Sequence, residues 1–195
     1  MLKIVLATTN RKKAVEIAEI LGDVNAEIVP ICDFAADFDV DETGTTFVEN
    51  AGLKAMAAAE ATGMISLADD SGLSVDALNG EPGVYSKRFA ADDAARNSKL
   101  LQIMKDIPAE KRSARFHCAV VIASPTGVLV EIDETTEGFI TNAPSGSNGF
   151  GYDPVFQPIG KTRTMAEMTI AEKNLISHRG KAFRKAAEWI KNYKG

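Results

Sequence analysis

Two adjacent carboxylates, Asp69 and Asp70, come directly after an apolar run over residues 64–68 and directly before a Ser-Gly pair. The run predicts a buried strand, and a strand that ends in charge can deliver a carboxylate to a metal ion or a water. Because neighbouring strand residues point to opposite faces, we expect different roles for the two side chains, with at most one at the reacting centre. The alternative is an Asx-turn closing the strand, which the dipeptide alone favours.

A second polar segment, residues 8–13, lies between a predicted strand over residues 3–7 and an amphipathic helix that stops at Gly22. Its side chains supply hydroxyls, an amide and three cations: Thr8, Thr9, Asn10, Arg11, Lys12 and Lys13. A helix start exposes unpaired N–H groups and the positive end of the helix dipole, so this segment is a candidate phosphate cradle. It lacks the glycines of a P-loop, and by itself it favours a capped helix start with solvated basic residues.

A long helix is predicted from Thr46 to Gly63, because Thr46 and Glu49 have the spacing of a capping box. Asn50 and Lys54 lie four residues apart and share one face of this largely apolar helix, so they are expected to face something polar. Glu49 and the preceding Glu42 are each either a surface or capping acid or a metal ligand. Their distance from the Asp-Asp pair decides between these alternatives.

A glycine-rich segment over residues 142–154 carries two aromatic residues and an acid. Glycine lets the backbone approach a ligand closely, and Phe150 offers a flat face on which a base could stack, although a hairpin turn would have the same composition. Farther on, Ser177 is the predicted cap of the last helix. His178 and Arg179 would then project from an amino-terminal turn that attracts anions.

The whole sequence predicts one globular domain over residues 1–195, since no repeat, linker or domain boundary is visible. An antiparallel hairpin is predicted across residues 125–127. The net charge of −5 argues against a non-specific nucleic-acid binder. Acids are concentrated in residues 27–49 and bases after residue 161, as solvated faces or as two sides of a cleft that holds metal and phosphate.

Cellular context is predicted from simple absences in the sequence. Cys32 and Cys118 are too far apart for a metal knuckle and are interpreted as idle or buried thiols. The apolar start is too short for a signal peptide, and no run reaches membrane-spanning length. We therefore expect a cytoplasmic protein with no membrane partner.

Six short blocks, in order between residues 8 and 180, resemble the signature of the inosine triphosphate pyrophosphatases, also called XTP/dITP diphosphatases. They are Thr8-Thr9-Asn10 with Lys13, Glu42-Thr43-Gly44, Phe47 with Glu49-Asn50-Ala51 and Lys54, Ala68-Asp69-Asp70-Ser71-Gly72-Leu73, Phe150-Gly151-Tyr152-Asp153-Pro154, and Ser177-His178-Arg179-Gly180. Two positions depart from the pattern, with Thr9 and Asn148 where the family usually has glycine. Asn tolerates positive φ, so Asn148 need not distort its loop, whereas Thr9 could narrow the cradle or simply add a hydroxyl.

The resemblance implies an α/β fold with a long, twisted mixed sheet flanked by helices, in two lobes with the active cleft between them, and a homodimer. It implies Mg²⁺-dependent hydrolysis of ITP, dITP and XTP to the monophosphate and pyrophosphate, which cleanses the nucleotide pool. Glu42 and Asp70 would bind the metal, with Asp70 also the catalytic base and Lys13 catalytic at the phosphates. The implied substrate-binding residues are Thr8, Thr9, Asn10, Arg11, Lys12, Lys13, Ser71, Phe150, Gly151, Tyr152, Asp153, Lys173, His178 and Arg179.

These assignments agree with the chemistry of the residues. Carboxylate oxygens suit a hard cation, and Lys13 with the helix start would stabilise the departing pyrophosphate. Arg179, a donor only, would suit the six-position carbonyl of hypoxanthine and not the amino group of adenine. The alternatives are a pyrophosphatase for another modified nucleotide, a nucleotide sensor without turnover, and a protein whose charged segments bind a partner.

Overall fold

The computed structural model describes residues 2–22 and 24–194, and the side chains of Arg11 and Lys12 lie outside that description. Strands and helices alternate over the first part of the chain, and three successive strands and then two successive helices follow. In order they are β1 (Leu2–Leu6), α1 (Arg11–Leu21), β2 (Ala26–Pro30), α2 (Phe47–Thr62), β3 (Ile65–Val75), α3 (Asp93–Ile103), β4 (Ser113–Ser124), β5 (Gly127–Ile140), β6 (Phe156–Pro158), α4 (Ile170–Ile176) and α5 (His178–Asn192). Short 3₁₀ turns connect several of them.

The strands of the described residues form one six-stranded sheet in the order β2-β1-β3-β4-β5-β6. β1 is parallel to both β2 and β3, and β6 is antiparallel to β5, so the sheet is mixed. β4 and β5 are sheet neighbours joined by residues 125–126, which confirms the predicted hairpin. The predicted α/β fold with a mixed sheet is confirmed.

β3 differs from its prediction in length. The sequence predicts a strand that ends at Asp70 and a turn at Ser71 and Gly72, but β3 continues through these residues to Val75. Asp69 and Asp70 are both buried within it. The Asx-turn alternative is therefore wrong. Asp, Ser and Gly favour turns by themselves, but contacts with the rest of the fold keep them extended within β3.

Helix α2 is bounded as its sequence predicts. The side chain of Thr46 accepts a hydrogen bond from the Glu49 amide, the Glu49 side chain reaches back to the Thr46 amide, and Gly63 ends the helix at φ 70°. A left-handed residue at this position favours glycine. Glu49 is exposed, and hydrogen bonds from Thr45 and Thr46 lower the pKa of its carboxyl group. These contacts confirm the predicted capping role of Glu49.

The residues fall into two compact units, each made of separate chain segments. Unit 1 contains residues 1–70, 118–134 and 179–195, and unit 2 contains residues 71–117 and 135–178. The unit boundaries fall inside β3, β4 and β5.

Unit 1 has two apolar layers, one on each side of its strands. On one side, strand residues pack with α1 and α5, and this cluster includes Ile4, Leu6, Ile17, Leu67, Val120, Phe183 and Ile190. On the other side, strand residues pack with α2, and this cluster includes Val5, Ala7, Ala51, Ala55, Ala58, Ala68 and Val121. The alternation along β1 and β3 follows from the two-residue repeat of a strand.

Unit 2 has a single buried cluster in which strand residues pack with α3 and with residues 152–168. It includes Leu73, Val75, Leu100, Met104, Phe116, Tyr152, Val155, Phe156 and Met165. Phe156 is fully buried, and its ring lies 4.5 Å from that of Phe116. Replacing a buried Phe with Ala typically costs about 3–5 kcal/mol, so Phe156 is a major source of stability for this unit.

Candidate active site

The alternation of β3 sends its two aspartates to opposite sides of the strand in unit 1. Leu67 belongs to the layer with α1 and α5, and Ala68 belongs to the layer with α2. Two residues farther along, Asp69 contacts side chains of α1 and α5, and Asp70 contacts side chains of α2. The prediction that the two carboxylates have different surroundings is confirmed.

Asp69 lies in a chain of four alternating charges. Its Oδ2 atom is 3.0 Å from Nζ of Lys13 and 3.8 Å from Nε of Arg179, and Arg179 donates to Glu16 at 2.7 Å. Burial alone would raise the pKa of Asp69, but the charges of Lys13, Arg179 and the nearby Lys54 outweigh it and lower that pKa far below its ordinary value. Asp69 is therefore a permanent anion that holds two cations in place.

Asp70 lies in a different set of contacts. Asn50 donates to its Oδ2 atom at 3.3 Å, and Lys54 approaches its Oδ1 atom at 3.5 Å while donating to Glu42 at 2.8 Å. Burial raises the pKa of Asp70, because the charge of Lys54 offsets it only in part. Burial opposes the charge of Lys54, but Asp70, Asp69 and Glu42 together raise its pKa. Glu42 and Asp70 thus converge on one ammonium group.

This pair of carboxylates fits a magnesium ion. Mg²⁺ prefers oxygen ligands and is usually bound by one or two carboxylates, with waters and substrate phosphates completing its coordination. Within residues 2–22 and 24–194, no group of three or more His, Cys, Asp or Glu side chains could hold a metal ion. The carboxylate oxygens of Glu42 and Asp70 both contact the ammonium group of Lys54. This pair therefore meets the requirement of Mg²⁺ for one or two carboxylate ligands.

The candidate phosphate cradle is a capped helix start. Thr8 accepts a hydrogen bond from the Asn10 amide at 3.2 Å through its hydroxyl oxygen, and the Asn10 side-chain oxygen accepts from the Lys13 amide at 3.3 Å. Thr9 is exposed and Thr8 is half-buried. The predicted roles of Arg11 and Lys12 concern side chains outside the described part of the chain. The cap and the phosphate cradle are compatible, because Lys13 points from this turn to Asp69.

In unit 2, Phe150, Asp153 and Lys173 lie together. Lys173 donates to Asp153 at 2.9 Å, and its ammonium nitrogen is 4.9 Å from the centre of the Phe150 ring. The Phe150 amide also donates to Asp153 at 2.9 Å. A side chain at Gly149, where φ is 74°, would collide with the Asp153 carboxylate. The glycine therefore lets the loop close on Asp153.

Tyr152 and His178, two further predicted site residues of unit 2, are buried and contact other segments of that unit. Tyr152 donates its hydroxyl to the Ser86 carbonyl at 2.9 Å, and burial raises the pKa of that hydroxyl. His178 is buried and stacks on Phe116, with 4.6 Å between the ring centres. Ser71 is half-buried and directly follows Asp70 in β3. Asn148 has no positive φ, so this substitution for glycine requires no unusual backbone conformation.

The sequence pointed to most of these residues but missed the role of Glu16. Glu16 is buried on α1, three residues after Lys13, and pairs with Arg179 of α5. The three-residue spacing from Lys13 was visible and indicates a shared helix face. The pairing of Glu16 with Arg179, 163 residues farther along the chain, could not be inferred from spacing. Asp69 also holds Lys13 and Arg179 together, a function that the predicted structural role did not specify.

Comparisons with known proteins cover almost the whole chain. The model of the Ham1 family matches residues 4–189. A dITP/XTP pyrophosphatase of Desulforamulus reducens is 48% identical over 190 residues, covering 96% of this chain and 94% of that protein. A dITP/XTP pyrophosphatase of Streptomyces coelicolor is 49% identical over 189 residues, covering 94% of each chain.

Solved structures agree with the fold. A HAM1 protein from Coxiella burnetii matches with a TM-score of 0.91 and 43% identity, covering 99% of this chain and 100% of that one. The Staphylococcus aureus Ham1 protein matches with a TM-score of 0.88 and 38% identity, covering 98% and 100%. No helix in the part of the chain that the structure describes has the length and apolar character to cross a bilayer.

Proposed function

Because this chain belongs to the Ham1 family, we propose that it is a nucleoside-triphosphate diphosphatase for deaminated purine nucleotides. It hydrolyses ITP, dITP and XTP to the monophosphate and pyrophosphate. The observation that carries the proposal is that Glu42 and Asp70 both contact the ammonium group of Lys54. The chain that holds this pair is nearly half identical to proteins named dITP/XTP pyrophosphatase.

Glu42 and Asp70 are the proposed ligands of Mg²⁺. The ion, when bound, polarises phosphate oxygens and lowers the pKa of a coordinated water. The two carboxylates would supply the negative charge that binds the ion. Lys54 would then have to move from its present position between Glu42 and Asp70. Asp70 also accepts a hydrogen bond from the attacking water and orients it toward the α-phosphorus.

Lys13 and the start of α1 are proposed to bind the triphosphate. Hydrolysis at the α-phosphorus leaves negative charge on the departing pyrophosphate, and a nearby ammonium group stabilises that charge. Asp69 keeps the Lys13 side chain from extending into solvent. The hydroxyls and amides of residues 8–10, with Arg11 and Lys12, are proposed to complete the cradle.

Phe150, Gly151, Tyr152, Asp153 and Lys173 are proposed to form the base site. The Phe150 ring offers a stacking face to any purine, and Lys173 can donate to a carbonyl at the six position but cannot accept from an amino group.

The contacts of Arg179 favour a role other than direct contact with the base. Its side chain is buried, Nη1 donates to Glu16, and Nε lies 3.8 Å from Asp69, so the guanidinium group is already held by two carboxylates. We therefore favour a positioning role for Arg179 through Asp69. His178 and Ser71 stay proposed nucleotide contacts. We also propose that the protein is cytoplasmic and, as the resemblance implies, a homodimer.

A steady-state screen tests the proposed function. Pyrophosphate release from ITP, XTP, dITP, GTP and ATP is measured with Mg²⁺, and again with EDTA. We expect the three deaminated nucleotides to have the highest kcat/KM and EDTA to abolish turnover. Preference for another modified nucleotide would redirect the substrate assignment, and binding without pyrophosphate release would indicate a sensor.

A further inference from the structure

One glycine of the candidate base site is held by two side chains of α3. Asp93 accepts a hydrogen bond from the Gly151 amide at 2.8 Å, and Asn97 donates its side-chain amide to the Gly151 carbonyl at 3.0 Å. Asp93 and Asn97 are four residues apart and therefore share a helix face. Both backbone polar groups of Gly151 are thus bound by one turn of α3.

The chain on each side of Gly151 carries the proposed base-binding groups. Gly151 has φ 65°, and nothing lies within 4 Å of the place where a Cβ would be, so the glycine is required for conformation and not for space. Phe150 precedes it, and Tyr152 and Asp153 follow. Moving Gly151 would therefore move the stacking ring and the carboxylate that binds Lys173 together.

Packing alone does not fix this part of the loop. A pocket of about 650 Å³ is lined by α3 on one side and by residues 144–154 on the other. This space beside the loop is not filled by packed side chains. The two hydrogen bonds to Gly151 keep the loop from moving away from α3.

The orientation of the Asn97 side-chain amide leaves one of its two polar atoms without a hydrogen bond among the described residues. Asn97 is buried, and among the residues that the structure describes no hydrogen-bond partner reaches its Oδ1 atom. A buried acceptor without a partner is destabilising. Turning the amide over would place Oδ1 against the Gly151 carbonyl, so the bond to Gly151 sets the orientation.

From these contacts we propose that Asp93 and Asn97 are positioning residues that set the affinity for the nucleoside part of the substrate. They hold Gly151 and thereby keep Phe150 and Asp153 in place for the base. The inference rests on the proposed function of this loop as the base site. A loop that must be ordered during binding weakens affinity without changing chemistry at the phosphates.

Asn97→Ala tests the proposal, with Ser98→Ala as the matched control, since Ser98 lines the same pocket on the same helix but is exposed. We expect Asn97→Ala to raise KM for dITP about tenfold and to leave kcat within about twofold. Inhibition by inorganic tripolyphosphate, which has no base, should keep its wild-type constant. Ser98→Ala should match the wild type throughout.

Conservative variants separate positioning from general damage. Asp93→Asn keeps an acceptor for the Gly151 amide and should retain a KM near that of the wild type, whereas Asp93→Ala should raise it. Asn97→Asp keeps the shape but places an oxygen against the Gly151 carbonyl, so it should raise KM as Asn97→Ala does. An unchanged KM in both Asn97 variants, or a fall in kcat at constant KM, would overturn the proposal.

Hydrogen exchange on the substrate-free protein makes the test independent of activity. Amides of residues 148–153 should exchange faster in Asn97→Ala than in the wild type or in Ser98→Ala. If they do not, the proposed hold on Gly151 is refuted even if dITP is a substrate. If wild-type protein releases no pyrophosphate from dITP, the proposed function fails, and faster exchange would then support only the positioning of the loop.

Discussion

Asp69 and Asp70 are adjacent in sequence and similarly buried, yet their surroundings differ. Asp69 is enclosed by Lys13 and Arg179, and its pKa is lowered. Asp70 shares one lysine with Glu42, and its pKa is raised. The comparison shows that neighbouring cations decide how far burial shifts the pKa of a carboxyl group, and it underlies the proposed roles of Asp69 as a structural anchor and Asp70 as a metal ligand.

The largest expected effect is at Asp70. Asp70→Asn preserves shape but removes the charge proposed to bind metal and orient water, so kcat should fall about 10³- to 10⁴-fold, or about 4–6 kcal/mol of barrier. Nucleotide binding, measured by calorimetry, should stay within a few-fold of the wild type. Near-normal turnover would remove Asp70 from the catalytic centre.

Asp69→Asn should act mainly on stability. Replacing this carboxylate leaves Lys13 and Arg179 without their shared anion, and breaking a buried pair in this way typically costs about 3 kcal/mol or more. Urea unfolding measures the change, with the exposed Asp37→Asn as the control. If Asp69→Asn matched Asp70→Asn in lost activity while keeping its stability, the two roles would have to be exchanged.

Lys13→Ala sharpens the link between Asp69 and the phosphates. An ammonium group that contacts the leaving pyrophosphate helps both binding and the transition state, so KM should rise and kcat should fall, with kcat/KM down about 30-fold. Lys3→Ala, which removes an exposed lysine of the same unit, is the control. Steady-state rates unaffected by Lys13→Ala would leave this turn as a helix cap only.

Glu16→Gln should have the smallest effect. The amide can still accept a hydrogen bond from Arg179 but lacks the charge, so we expect a loss of about 1 kcal/mol in the free energy of unfolding. Activity should fall only a few-fold, because Asp69 still pairs with both cations. A loss as large as that of Asp69→Asn would mean that Glu16, and not Asp69, holds the charge chain together.

The separation of the two aspartates could be predicted from sequence because it follows from the alternation of a strand. The capping box of α2 and the β4–β5 hairpin were equally local and were also confirmed. The continuation of β3 past Asp70 was not predictable, since Ser71 and Gly72 are turn-forming residues that tertiary contacts keep extended. Glu16 with Arg179, and Asn97 with Gly151, join residues far apart in sequence, and single-sequence patterns do not reveal such partners.

The interleaving of the two units has a consequence for how this protein can be altered as a gene. Unit 1 is assembled from three stretches of the chain and unit 2 from two, so no single cut yields either unit as one continuous piece. Two of the crossings fall at Asp70–Ser71 and His178–Arg179, within blocks that carry candidate site residues. Recombination at those points would cut through two of these blocks, and transfer of either unit alone would require several cuts.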